Sequence, residues 1–182
     1  MLIKERKIWT PDNSCLLEYR ARAETGEIII GQDLWQELEN LNEDFHNDRY
    51  YYDTDDANLR MNFMERCVRL TKSPFYNKPM ILMLWQKAWI ETLYSFKMSE
   101  TTFDRFKKTI LLISRKNTKS ETSSGLALSE FIVGNDGADI CCSSNDDTQA
   151  SLVYDAIDTM RMLIDPDDLD TKRNQRFILN KN

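Results

Sequence analysis

Lys119 and Ser120 stand side by side at the end of a polar turn in LLISRKNTKSETSSG (residues 111–125), and that pair of residue types can do phosphate chemistry. An apolar run precedes the turn and a helix-forming stretch follows it, which is the order of a strand, a phosphate-binding loop and its helix. Such a loop works because successive backbone N–H groups and a helix N-terminus point at phosphate oxygens, while a lysine neutralises the β- and γ-phosphates. The Ser or Thr after the lysine supplies a hydroxyl to Mg2+. The usual pattern, G-x-x-x-x-G-K-[ST], puts glycine at 113 and 118, where this chain has Ile113 and Thr118. A glycine lets the backbone approach phosphate with no Cβ in the way, and Thr118 is branched at that carbon. From the residues alone the loop reads as a nucleotide site, a decayed one, or a chance pairing of a lysine with a serine. A dinucleotide site is excluded, because no G-x-G-x-x-G follows either of the two central apolar runs.

Charge gathers near this loop. Residues 1–70 carry 15 acids and 9 bases and residues 121–182 carry 12 acids and 5 bases, whereas 71–120 carry 3 acids and 10 bases. The middle segment is therefore basic in a chain whose net charge is −6, and Arg105, Lys107, Lys108, Arg115, Lys116 and Lys119 crowd its end. Clustered charge of this kind attracts phosphate, and equally describes a solvated basic face. The four cysteines show no C-x-x-C spacing and there is one histidine, His46, set among charged residues. That pattern argues against a Cys/His metal site and reads as reduced thiols of an intracellular protein. No apolar run approaches the roughly 20 residues of a membrane span, and MLIKERKIW lacks the apolar core of a signal peptide.

The elements that must position the loop follow from periodicity. Residues 1–27 read as irregular, with a turn at Pro11-Asp12 and a break at Gly26. Leu34, Trp35, Leu38, Leu41 and Phe45 recur at helical spacing. A second helix is predicted over about 54–70, capped by Asp53 or Thr54, with Leu59, Phe63, Cys67 and Leu70 on its apolar face. A third, about 84–97, turns Trp85, Ala88, Trp89 and Phe96 inward. KTILLIS (108–114) and ADICCSS (138–144) read as strands buried on both faces, and RFILN (176–180) as a further strand. Helices are predicted over 120–134 and 148–164, the latter stopping before Pro166. Two apolar strands about thirty residues apart with a helix between them fit one right-handed βαβ unit. The expected fold is α/β, a parallel sheet flanked by helices in the manner of a P-loop NTPase, behind a helical N-terminal region. Residues 1–70 are expected to form that N-terminal region and 71–182 the α/β domain that carries the loop.

KPMILMLWQKAWIETLYSF, LLISRKNTKS and GADICCSSNDDTQASLVYDAIDTMRML together resemble the N-terminal ATPase region of tailed-phage terminase large subunits, over roughly residues 25–182. That family has a loop variant [AS]-R-K-N-G-K-[ST], which here stands as Ser114-Arg115-Lys116-Asn117-Thr118-Lys119-Ser120, matching at six of seven positions. Its upstream W-Q pair is matched by Trp85-Gln86, and its downstream "QA" helix by Gln149-Ala150. The resemblance implies that Lys119 contacts the β- and γ-phosphates of ATP, that Ser120 is the Mg2+ ligand, and that Arg115 lies near the γ-phosphate. It further implies that Gln86 reads the adenine edge; as a bare residue Gln86 is also an ordinary helix-surface glutamine. Double-stranded DNA, a portal protein, a small terminase subunit, a ring oligomer and the bacterial host cytoplasm are implied in the same way. If the loop keeps the family geometry, Thr118 takes a sparse conformation at about 1–3 kcal/mol, which is about 5- to 150-fold in nucleotide affinity.

An ATPase of this kind needs four apolar residues followed by Asp-Glu to hold Mg2+ and orient the attacking water, and the chain has no such stretch. Asp146 and Asp147 read as cap or loop acids. The chain therefore looks like the first half of an ATPase domain, expected to bind nucleotide weakly without turning it over, and it lacks the family's nuclease carboxylates. Two alternatives stand beside this reading: a helicase-like P-loop ATPase, and a non-catalytic interaction domain with a decayed loop.

Overall fold

The computed structural model describes residues 7–135, 139–144, 146–173 and 177–180. Its elements run α1 (Cys15–Glu24), α2 (Gln32–Asp44), β1 (Tyr50–Tyr52), α3 (Asp55–Cys67), α4 (Leu84–Ser95), β2 (Phe96–Met98), α5 (Lys119–Val133), α6 (Asp147–Ile164), β3 (Thr171–Arg173) and β4 (Ile178–Asn180). Contacts divide the chain into two units, Met1–Asn58 with Leu82–Ile110, and Leu59–Ile81 with Leu111–Asn182.

The first unit begins with a helix that periodicity does not announce. Residues 15–24 form α1 where an irregular segment is expected. Ser14 caps it in extended conformation, and its hydroxyl accepts from the Leu17 N–H at 3.3 Å. Gly26, at φ 77°, supplies the left-handed residue that ends it. The reason α1 forms lies far along the chain, on α4. Glu91 is buried and its carboxylate accepts from the Cys15 N–H (2.8 Å), the Leu16 N–H (3.3 Å), the Tyr52 hydroxyl (2.5 Å) and the Ser14 hydroxyl. An acceptor with negative charge at a helix N-terminus satisfies donors that the helix itself cannot. Burial and the neighbouring Glu91 push the Cys15 thiol up to about 12, so it is protonated and unreactive at neutral pH.

Around this joint, Leu16, Leu38, Leu41 and Phe96 form a core flanked by Tyr19, Phe45, Tyr50, Tyr52 and Phe106. The rings of Phe45, Tyr52 and Phe96 meet at 4.4–5.3 Å in tilted and edge-on arrangements. β1 pairs antiparallel with β2, Tyr51 opposite Lys97. The helix expected to reach residue 97 stops at Ser95, because Phe96–Met98 are claimed by that pairing. On α4 the fully buried residues are Gln86, Ala88, Ile90, Glu91 and Ser95, whereas Trp85 and Trp89, expected inward, are half-buried.

The second unit packs α5 against α6, and β3, paired with β4, is tied to α6 by Arg161 on Thr171 and Arg173 on Asp158. The residues buried along α3 and just past it are Ala57, Arg60, Met61, Met64 and Val68, and Leu59, expected inward, is exposed. Arg60 wins its inward place through Glu130 of α5, whose Oε2 accepts from Nε at 2.6 Å. A Cβ on Gly125 would fall 2.9 Å from Met80 Sδ, so α5 and the residue-80 segment approach closely there. Among the described residues no helix is long and apolar enough to cross a membrane.

The expected parallel sheet is not formed among the described residues, whose strands make two antiparallel two-stranded sheets. Residues 108–114 and 139–144 carry no regular secondary structure, and Ala138 lies outside the described residues. An apolar run predicts burial, but a strand exists only through a partner backbone, and neither run has one in a sheet. Ile110 and Leu112 are each 92% exposed, the reverse of a strand covered on both faces. The expected strand at 176–180 appears as β4 (Ile178–Asn180), paired antiparallel with β3; Arg176 lies outside the described residues.

Candidate functional site

The loop 114–118 leads directly into α5, whose first two residues are Lys119 and Ser120. The Thr122 N–H donates to the Thr118 carbonyl at 2.8 Å, the first helical bond, which makes Thr118 the N-cap residue. The first N–H groups of any helix have no intrahelical acceptor and carry the positive end of its dipole, so they face an anion by default. Two loop residues are left-handed: Lys116 (φ 69°) and Thr118 (φ 55°, ψ 17°). Side chains brace the turn. Asn117 Nδ2 donates to Ser114 Oγ at 2.5 Å, and Thr118 Oγ1 donates to the Asn117 carbonyl at 2.8 Å.

Arg115, Lys116, Lys119 and Ser120 are exposed. No ion pair joins Arg115, Lys116 or Lys119 to a carboxylate among the described residues, so their field is not neutralised locally. Glu121, in the first turn, is occupied elsewhere: its carboxylate accepts from the Thr71 hydroxyl (2.5 Å) and the Thr71 N–H (3.1 Å). The helix start therefore presents cations outward and keeps its one nearby acid engaged. The expected position of Lys119 and Ser120 at a helix N-terminus agrees with the structure; the strand expected to precede them does not.

Gln86 belongs to the first unit and the loop to the second. It is buried on α4, and its Oε1 accepts from the Met83 N–H at 2.7 Å. That bond satisfies an N-terminal donor of α4 and holds the amide in one orientation, a role its sequence position does not reveal. Asp146 sits in a bend and Asp147 opens α6, as expected for cap or loop acids. Gln149 and Ala150 fall in the first turn of α6. All four cysteines are free thiols, and the described residues hold no cluster able to ligate a metal ion by itself.

The conformation of Thr118 changes what a glycine there should do. A branched residue held left-handed stores about 1–2 kcal/mol, and Thr118 is left-handed in the folded chain. That strain opposes folding more than nucleotide binding. Thr118→Gly is therefore expected to raise the unfolding free energy by up to about 1.5 kcal/mol, after glycine's added chain entropy of about 0.5–1 kcal/mol is subtracted. The gain in affinity is confined to what the Cβ obstructs, the low end of the 5- to 150-fold range above. Denaturant midpoints of the two forms check this, and a clear loss of stability in the glycine form would mean that side-chain bracing outweighs the strain.

A loop with exposed cations runs into a helix N-terminus, an arrangement whose charge and free N–H groups suit an anion. The family model described as terminase large subunit, ATPase domain, matches residues 84–181, more than half of the chain, and the chain belongs to that family. The match opens at the first residue of α4 and takes in Gln86 and the whole loop. Membership implies a P-loop fold and the use of a nucleotide with a metal ion in DNA packaging. No curated protein and no solved structure matches the chain.

Proposed function

We propose that this chain supplies the nucleotide-binding loop of a DNA-packaging motor of a tailed phage. The observation that carries the reading is the placement of Lys119-Ser120 as the first residues of α5, behind a left-handed Thr118. This arrangement fits a triphosphate: the helix start aims N–H groups at one point, and the cationic side chains around it are exposed. Lys119 would neutralise the β- and γ-phosphates, Arg115 would lie toward the γ-phosphate, and Lys116 would add to the local field. Ser114, Asn117 and Thr118 would shape the cradle, and the Ser120 hydroxyl would ligate Mg2+. Gln86 would hydrogen-bond adenine with an amide already fixed by the Met83 N–H. Bound Mg2+ supplies charge neutralisation across the phosphates. Residues 71–182 would form part of the ATPase domain, behind an N-terminal region at 1–70. Double-stranded DNA, a portal protein and a small terminase subunit are the partners this reading entails, with a ring oligomer acting in the host cytoplasm.

Calorimetry of MgATP binding tests it. A charge-assisted hydrogen bond contributes about 1.5–3 kcal/mol, so Lys119→Ala should weaken binding about 10- to 150-fold. Equal affinity of the two forms, or no binding by the wild-type chain, would overturn the nucleotide reading and leave the decayed-loop alternative.

A further inference from the structure

Residues 68–80 leave α3, turn, and come back as a braced hairpin. The Met80 N–H donates to the Val68 carbonyl (3.1 Å), the Leu70 N–H to the Lys78 carbonyl (2.9 Å) and the Asn77 N–H to the Leu70 carbonyl (2.8 Å). Two tight turns form the tip, closed by the Phe75 N–H on the Lys72 carbonyl and the Lys78 N–H on the Phe75 carbonyl. The base is fixed to α5 twice, by Thr71 on Glu121 and by Met80 against Gly125. On this mount the tip exposes two aromatic rings, Phe75 (62%) and Tyr76 (55%), and Ile81 (72%) follows just beyond the base. Exposed rings on an ordered turn forgo burial that a core position would give.

Their charge setting says what they meet. Arg66, Arg69, Lys72 and Lys78 surround the rings in sequence, and no acid occurs between Glu65 and Glu91 in a chain of net charge −6. Lys72 and Lys78 are exposed on either side of Phe75-Tyr76. Aromatic rings interleaved with lysines suit a polyanion that also offers flat apolar faces, and nucleic acid combines the two. A membrane surface would be met by a continuous apolar face, and an acidic peptide would leave the rings unused. We infer that the 71–79 hairpin is a DNA-contacting element, with Lys72 and Lys78 on backbone phosphates and Phe75 and Tyr76 against sugars or unstacked bases. Its mount on Glu121 and Gly125 places it beside the start of the helix that carries Lys119. The inference does not depend on nucleotide binding, because the contact is read with no ATP present.

Fluorescence anisotropy with a short labelled single strand and a labelled duplex tests it on the full chain. Phe75→Ala/Tyr76→Ala should weaken single-strand binding about 5- to 150-fold, the range for losing one stacked base. Lys72→Gln/Lys78→Gln should lower the slope of log affinity against log salt by about 1.4 on the single strand and about 1.8 on the duplex. A ring-dependent loss in the single-strand arm identifies unstacked bases as the partner surface, and a loss confined to the duplex arm identifies its backbone. No binding by the wild-type chain, or unchanged affinity and salt slope of both variants in both arms, would overturn the inference. All four side chains are exposed, so an unchanged thermal midpoint should confirm that the variants fold.

Discussion

Glu91→Ala is expected to lower the unfolding free energy by about 3–5 kcal/mol. The carboxylate serves two hydroxyls and two backbone N–H groups at the start of α1, and each buried donor left without an acceptor costs about 1–3 kcal/mol. The Ser14 and Tyr52 hydroxyls lie 3.4 Å apart and can turn toward one another, which keeps the sum below four full penalties. Glu91→Gln keeps the shape and one acceptor oxygen but turns an N–H2 toward donors, so about half of that loss is expected. Tyr52→Phe removes one donor together with its need for an acceptor, and should cost about 1 kcal/mol. Denaturant titration of the intact chain with near- and far-ultraviolet dichroism reads all three. A loss below about 1 kcal/mol for Glu91→Ala would mean that water enters the joint and serves the donors.

What the sequence makes legible is local. α5 and α6 come within a residue or two of their expected bounds, because apolar spacing, caps and Pro166 act over one or two turns. The loop is legible for the same reason, since Lys119-Ser120 at a helix start is a pattern of neighbours. Glu91 is invisible to that reasoning: it reads as one acid on an amphipathic helix, and its four partners lie 39 to 77 residues away. Without it, CLLEYRARAE has no sided apolar pattern and gives no sign of α1. Arg60 is missed likewise, because a helix face is judged by its apolar residues until Glu130 reaches across to pair with it. The runs at 108–114 and 139–144 show the opposite failure. Hydrophobicity fixes what avoids water, whereas strand identity needs a pairing partner that no local pattern specifies. Gln86 reads as a helix-surface glutamine, or by resemblance as an adenine reader; its burial and its bond to the Met83 N–H depend on how α4 begins.

A second large effect is expected from the ionic network behind α6. Asp158 and Arg161 are each 3% exposed at the side chain and joined at 2.9 Å. Asp158 also accepts from Arg173 of β3 at 2.6 Å, while Arg161 donates to Asp168 (2.6 Å) and to the Thr171 hydroxyl (3.1 Å). Asp165 ties down the same turn by accepting from the N–H groups of Leu169, Asp170 and Thr171, and those bonds with the Thr171 hydroxyl hold its carboxyl down to about 2, against the opposing pull of burial. Together these bonds dock the β3–β4 hairpin on α6, and α6 in turn packs on α5, the helix that begins with Lys119. Removing one partner from a buried pair strands the other charge, so Asp158→Ala should cost about 3–5 kcal/mol, nearer the lower figure because Asp168 still reaches Arg161. Replacing both charges with apolar groups of similar volume avoids the stranded charge, so Asp158→Ala/Arg161→Met should be less unstable than Asp158→Ala alone. That inversion separates a charge-pair effect from lost packing, and equilibrium urea unfolding of the two variants measures it. A double variant less stable than Asp158→Ala alone would mean that Arg161 is held by its aliphatic stem and by Asp168 and Thr171, with Asp158 serving chiefly as the anchor for Arg173.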